Sequence, residues 1–510
     1  MKIFFVLISA FTVMQAEVRL AAIFSSNMVL QRNCTVPVWG FAAPQETVSV
    51  SFNAQQQRTA ADMSGKWMIK LSPMNEGGPF TMTVKGTNEL LLENILIGEV
   101  WICSGQSNMS FELKKTSNGP KDVSEALNPL IRLFTVKRAV SETLQTDCKG
   151  KWSVCSPEEA GDFTAVGYFF GKALQESLKI PIGLVHDSWA GTAAEGWVPK
   201  EVLEGDSDFV PILKRWNSDV AEYPHAIIEW QEQMPKLLEQ WKADSITAVA
   251  AGKMVPRKPS APRGPGHRDT PTGQYNGMLY PIIPFAMQGV IWYQGESNAS
   301  RAYQYRKLFP AMITYWRSVW QQGDFPFYYV QLPNLDRQPE PSKSGWAELR
   351  ESQLITLSLP NTGMAVTIDV GDPKDLHPVN KRPVGERLAI IALAKTYGKK
   401  MEYSGPQLKK FIIEGTKVRL TFDHSENGLV VTGGKKVIGF VIAGKDKIFL
   451  PADAEIKGNT ITVSHKKIKD PVSVRYAWAD NPACNLYNKT GLPASPFRTD
   501  DWEEVTFNKK

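Results

Sequence analysis

Between residues 96 and 400 the chain repeatedly runs apolar and then stops in glycine and polar side chains. The runs are "ILIGEVWICSG", "PIGLVHDSWAG", "GVIWYQGESN", "FPFYYVQL" and "GMAVTIDVGD". None alternates cleanly between apolar and polar, so each reads as a strand buried on both faces. Helical stretches such as "GYFFGKALQESLK" and "AYQYRKLFPAMITYWRSVWQ" lie between them. This alternation predicts an α/β fold, a parallel sheet with helices on both faces. Reactive groups of such sheets stand beyond the carboxyl ends of the strands. Those ends are where each run turns polar.

The flanks read differently. Residues 17–95 hold short alternating segments ("TVPVWGFA", "TVSVSF", "WMIKL", "FTMTVKG") separated by Gly, Pro and Asn. They predict an N-terminal sandwich-like β domain. Residues 401–510 return to the same pattern and predict a C-terminal β domain. The catalytic region is then 96–400. It is interrupted at about 198–275 by a charge-rich amphipathic helical stretch and a basic Pro/Gly-rich loop, read as an insertion.

The first residues, "MKIFFVLISAFTVMQA", place one Lys before an apolar run and end in a small residue. That is the pattern of a signal peptide over 1–16, cleaved after Ala16, and it predicts a secreted protein, periplasmic or extracellular. No later segment is long and apolar enough to span a membrane. The net charge of +6 over 510 residues is scattered, which argues against a nucleic-acid partner. Among five cysteines, Cys148 and Cys155 are close enough in sequence for a disulfide. There is no CxxC or His/Cys cluster to hold zinc.

The chemistry gathers at the run ends. "VWICSGQSNMSF" leaves a strand at Ser104-Gly105-Gln106-Ser107-Asn108. A serine between a strand and a helix is presented to solvent, and the helix start offers unpaired N–H groups to a developing oxyanion. Ser104 and Ser107 compete for the role. A nucleophilic serine needs a base, and there are six histidines. His186 ends one strand. His377 follows another in "DVGDPKDLHPVNKRPVGERLAIIALA", with Asp375 two residues before it and Asp372 five before. An acid so close can fix the imidazole tautomer. "HDSWAGTAAEGW" supplies Gly191, whose N–H can approach an oxyanion. "WYQGESN" supplies Gln294, Glu296 and Asn298.

Together "GQSNM", "SWAGTAAEGW", "WYQGESN" and "DLHPVNKRPVGERLA" resemble the sialate O-acetylesterase family of the SGNH (GDSL-like) hydrolases. "NMVLQRN", "YNGMLYPIIPFAMQG" and "WAELRESQ" extend the resemblance from about residue 20 to the C-terminus. It implies an SGNH-type catalytic domain flanked by β domains. Ser107 matches the nucleophile, His377 the base and Asp375 the acid. The wider superfamily often places its Asp three residues before the His, where this chain has Lys374, so Asp372 remains an alternative. The oxyanion hole would take the N–H of Ser107, the N–H of Gly191 and a side-chain amide, Gln294 or Asn298, with Gln294 favoured. Gln106, Asn108, Glu296, Asn298 and Arg350 would line the substrate site, Arg350 pairing a substrate carboxylate. No metal or organic cofactor is implied. The expected activity is removal of O-acetyl groups from sialic acids. The alternatives are an esterase for another acetylated glycan (xylan or pectin type) and a non-catalytic glycan-binding protein.

Overall fold

The structure, a computed structural model, describes residues 17–252, 255–256, 258–336 and 343–510. The expected leader over 1–16 lies outside the described residues. Strand β1, Glu89–Gly105, is 17 residues long and belongs to both halves of the largest sheet. Its first half pairs antiparallel with Gly77–Lys85 and parallel with Val29–Gln31. Its second half is a central strand of a parallel array. The expected boundary at 95/96 therefore falls inside one continuous strand.

The parallel strands are β1, β2 (Asn128–Thr135), β3 (Ile182–Ser188), β4 (Gly289–Tyr293), β5 (Phe327–Val330) and β6 (Thr362–Ala365), in the order β2-β3-β1-β4-β5-β6. Ser188 and Tyr293 are both register partners of Gly105. The carboxyl ends of β3, β1 and β4 thus stand side by side.

Helices cover both faces, as the doubly apolar strands require. The longer helices among the described residues are α1 (Ala165–Leu178), α2 (Val210–Ala250), α3 (Ala302–Trp320), α4 (Gly345–Ile355) and α5 (Arg382–Lys395). On one face Trp101 and Cys103 pack with Phe170 of α1 and Leu388 of α5. On the other, Ile102, Val185 and Trp292 pack with Phe309 and Trp316 of α3. Full burial of each aliphatic side chain contributes about 1.5–3 kcal/mol. Thr164 caps α1 by accepting from the Gly167 N–H.

The C-terminal region forms two four-stranded antiparallel sheets and a strand pair. Arg350 of α4 fastens it to the catalytic sheet. The side chain is wholly buried, and its guanidinium donates to the carbonyls of Leu332, Pro333, Ala479 and Asp480 at 2.7–3.0 Å. It has no face left for a substrate, which corrects its expected role.

Helix α2 is 41 residues long, carries Pro224 and Pro235, and buries only Ile212. The chain after it packs back onto the catalytic domain, where Thr272 N–H donates to the Glu195 carbonyl at 2.9 Å and Gln274 is fully buried. All five cysteines are free thiols, so no disulfide joins Cys148 to Cys155. Cys155 donates its thiol to the Ala126 carbonyl at 3.3 Å. Burial pushes both thiols up to about 12.

Candidate active site

Strand β1 ends because of Gly105. Its φ is +132°, and a Cβ there would stand 2.2 Å from the Tyr293 carbonyl oxygen of β4. Only glycine permits that approach. Gln106 N–H then donates to the same carbonyl at 2.9 Å, and the Gln106 carbonyl accepts from Met109 and Ser110 N–H. The result is a tight turn, not the expected helix. Within residues 101–109, Ser107 is the one residue the turn leaves half-open to solvent. Among the described residues, neither its hydroxyl nor its N–H makes a hydrogen bond. Ser104 is fully buried within the strand, which removes it as the competing nucleophile.

The neighbouring asparagine joins this turn to the histidine loop. Asn108 is fully buried. Its amide donates to the Leu376 carbonyl at 3.0 Å and to Glu296 Oε1 at 2.5 Å, and it accepts from Lys381 Nζ. Ser107 and His377 thereby flank one junction. Burial drives the Lys381 ammonium down to about 7, against the opposing pull of Glu296 and Asp375. Lys381 has no sequence signature; a lysine four residues past a histidine carries no signal until it is seen buried.

His377 is about two-fifths exposed. Burial first, then the Lys381 charge, lowers its pKa, outweighing Asp375. Its ring Nδ1 stands 3.8 Å from Asp375 Oδ1, beyond hydrogen-bond length. Asp375 Oδ1 instead accepts the His377 N–H at 2.8 Å. Asp372 is turned to its own loop, where it accepts the Lys374 N–H at 2.8 Å. His186 is buried, and its Nε2 lies 2.7 Å from Ser188 Oγ. Burial, then Arg138, pushes it down to about 3, so it stays neutral inside the sheet.

Gly191 has φ +80°, and its N–H makes no hydrogen bond among the described residues. Its carbonyl accepts from Ser297 Oγ at 3.1 Å, and Ser297 N–H in turn meets Gln106 Oε1 at 3.4 Å. Gly191 is thus linked to the serine turn. The expected side-chain donors are not so placed. Gln294 is fully buried, with its amide donating to Asn298 Oδ1 at 2.7 Å and to the Thr192 carbonyl at 3.4 Å. Asn298 is equally committed, accepting from Ala194 N–H and donating to Glu195. Both brace the loops after β3 and β4. Gln106, Asn108 and Glu296 are buried in the same bracing network, and the amide groups of Asn108 and Asn298 are spent on protein partners.

A cavity of about 900 Å³ lined by Trp39, Trp67, Tyr280 and Trp320 lies elsewhere. Its lining includes residues just before β4 and β5, at the amino ends of the strands and opposite Ser107. No helix among the described residues is long and apolar enough to cross a membrane.

Known proteins share this architecture. The family model for carbohydrate esterases described as sialic acid-specific acetylesterases matches residues 272–394. The chain is 30% identical to the sialate O-acetylesterase of Rattus norvegicus, covering 94% of each chain. It is 28% identical to that of Homo sapiens, over 94% of this chain and 92% of the relative. A crystal structure of a carbohydrate acetylesterase from Xanthomonas citri superposes with a TM-score of 0.80 at 38% identity, over 95% of this chain and all of that one. The chain is a carboxylic ester hydrolase and belongs to the sialic acid-specific acetylesterase family of carbohydrate esterases.

Proposed function

We propose that this esterase removes O-acetyl groups from sialic acids through an acetyl-enzyme formed on Ser107. The observation that carries the mechanism is the bond from Asn108 to the Leu376 carbonyl, which holds the serine turn against the histidine loop. His377, kept neutral by burial, takes the proton from Ser107 Oγ as the oxygen attacks the acetyl carbonyl. The unpaired N–H groups of Ser107 and Gly191 receive the oxyanion, each contributing about 3–4 kcal/mol in the transition state. The sugar alcohol leaves with the proton held by His377. Water then attacks the acetyl carbon as His377 takes its proton, and acetate leaves as the bond to Ser107 Oγ breaks and Oγ regains that proton from His377. Asp375, 3.8 Å from the ring, steadies the imidazolium through its negative charge.

The sialic acid specificity rests on the relatives' names, and export on the leader-like pattern of residues 1–16. The test is acetate release from a mono-O-acetylated sialic acid beside acetylated xylan, with wild type and Ser107→Ala. Release from the sialic acid, lost in the variant, is expected. Release from xylan alone keeps the mechanism and moves the substrate. N-terminal sequencing of exported protein should begin at Glu17.

A further inference from the structure

The inserted segment delivers one arginine to the edge of this site. Arg268 lies on the chain that returns from the long surface helix. Its guanidinium covers the Gly191 backbone: Cζ is 2.9 Å, and Nη2 3.1 Å, from where a Cβ on residue 191 would stand. Glycine at 191 suits its φ of +80°, and the arginine guanidinium lies on the face where a side chain would otherwise stand. The backbone below is built to hold this position. Gln274, itself fully buried, donates to the Arg268 carbonyl at 2.7 Å, and Thr270 Oγ1 donates to the His267 carbonyl at 2.6 Å.

The guanidinium is poorly employed. Among the described residues it makes no hydrogen bond, although its Nε is buried. Asp269, the acid paired with it, stands 3.7 Å from Nε, which leaves both Nη groups unspent. A half-buried cation with a free planar fork, lying on the backbone of the candidate oxyanion donor, is suited to a carboxylate.

We propose that Arg268 recognises the carboxylate of an anionic O-acetylated sugar and so sets the enzyme's preference for acidic over neutral substrates. This rests on the assignment of Ser107 and Gly191 to the reaction. It moves the carboxylate contact from Arg350, which is spent on backbone carbonyls, to a residue on the insertion. The insertion then has a role in selectivity. The cation sits over a backbone that presents an unpaired N–H, so a substrate carboxylate bound there is held beside the acetyl group being cleaved.

The test compares full-length wild type, Arg268→Gln and Arg268→Lys on two pairs of substrates. One pair is mono-O-acetylated N-acetylneuraminic acid and its methyl ester; the other is O-acetylated galacturonic acid and its methyl ester. The readout is the ratio of kcat/KM for free acid over methyl ester, measured by acetate release. Wild type should favour a free acid by about 10- to 100-fold in at least one pair, as a charge-assisted contact provides. Arg268→Gln should bring that ratio near one, and Arg268→Lys, a point charge without the fork, should keep part of it. The same ratio in wild type and Arg268→Gln overturns the proposal, as does a wild-type ratio near one in both pairs or no turnover of either free acid. General damage to the fold lowers both members of a pair together, leaves the ratio in place, and so counts against the proposal. An Arg268-dependent preference in the galacturonate pair alone supports the carboxylate contact while refuting sialic acid as the substrate.

Discussion

Asn108 donates a 3.0 Å hydrogen bond to the carbonyl of Leu376. Each partner is the sequence neighbour of a candidate catalytic residue, Ser107 on one side and His377 on the other. The bond spans 268 residues of chain and ties the serine turn to the histidine loop.

Ser107→Ala should lower kcat by about 10⁴- to 10⁶-fold, as loss of a triad nucleophile does. Stability should change by no more than ~0.5 kcal/mol, since the hydroxyl is half-exposed and unbonded. Acetate release and a urea melt on the same sample measure both. Near-normal turnover in the variant would falsify the nucleophile assignment.

Asn108→Ala should damage structure and rate together. It removes the buried amide that bonds both Lys381 and Glu296 and frees the histidine loop. A loss of roughly 2–4 kcal/mol follows from cutting three hydrogen bonds of a buried amide, two of them to charged groups, read as a lower urea midpoint, with kcat reduced. A variant that keeps wild-type kcat would show that the junction does not position the base.

The pH profile should report His377. Burial and the Lys381 charge hold its pKa below the usual imidazole value, so the reactive neutral form persists to lower pH. The acidic limb of kcat/KM should fall with a midpoint under about 6.5. A midpoint clearly above that value would point to another base.

Asp187 should shape stability rather than activity. It lies in β3 beside Ser104, fully buried, and neither carboxylate oxygen has a hydrogen-bond partner among the described residues. Burial pushes it up to about 8. An acid raised on folding binds its proton more tightly in the native state, so its stabilising effect is complete below the unfolded value near 4 and is lost as pH rises to about 8. One such group contributes a slope approaching ~1.4 kcal/mol per pH unit across that window. The difference in urea stability between wild type and Asp187→Asn at pH 5, 6, 7 and 8 should follow it. A constant difference would mean that Asp187 is ionised throughout.

Arg350→Met should loosen the C-terminal β region. Four carbonyls lose their donor at once, which costs about 3–5 kcal/mol. Hydrogen exchange should then rise first in residues 401–510. Arg350→Lys should rescue little, because an ammonium cannot span the carbonyls of residues 332, 333, 479 and 480 as the guanidinium does.

The parallel sheet was legible because strands buried on both faces cannot hide their apolar runs, and the four polar strand ends marked the edge where Ser107 and His377 stand. The same signal misled at Gln294 and Asn298, while Arg350 lies on α4 and carries no strand-end signal. A polar residue at a strand end reads alike whether it meets substrate or braces a loop. Burial distinguishes them, and burial depends on partners such as Thr192, Glu195 and Ala479 that are remote in sequence. The expected helix after Ser107 failed for a local reason, since the Gln106 carbonyl closes a single turn that the chain does not continue.

By itself the sequence determined the strand-and-helix pattern, the glycine that ends β1 and the family motifs, because these follow from local sterics and from where apolar side chains must be buried. Only the tertiary structure decided which polar groups remain unspent. Ser107, the N–H of Gly191 and the guanidinium of Arg268 keep free donors, while Asn108, Gln294 and Arg350 have theirs taken. Hydrogen-bond partners in a folded chain are assigned by proximity in space, and a buried donor takes the nearest acceptor wherever in the chain that acceptor lies.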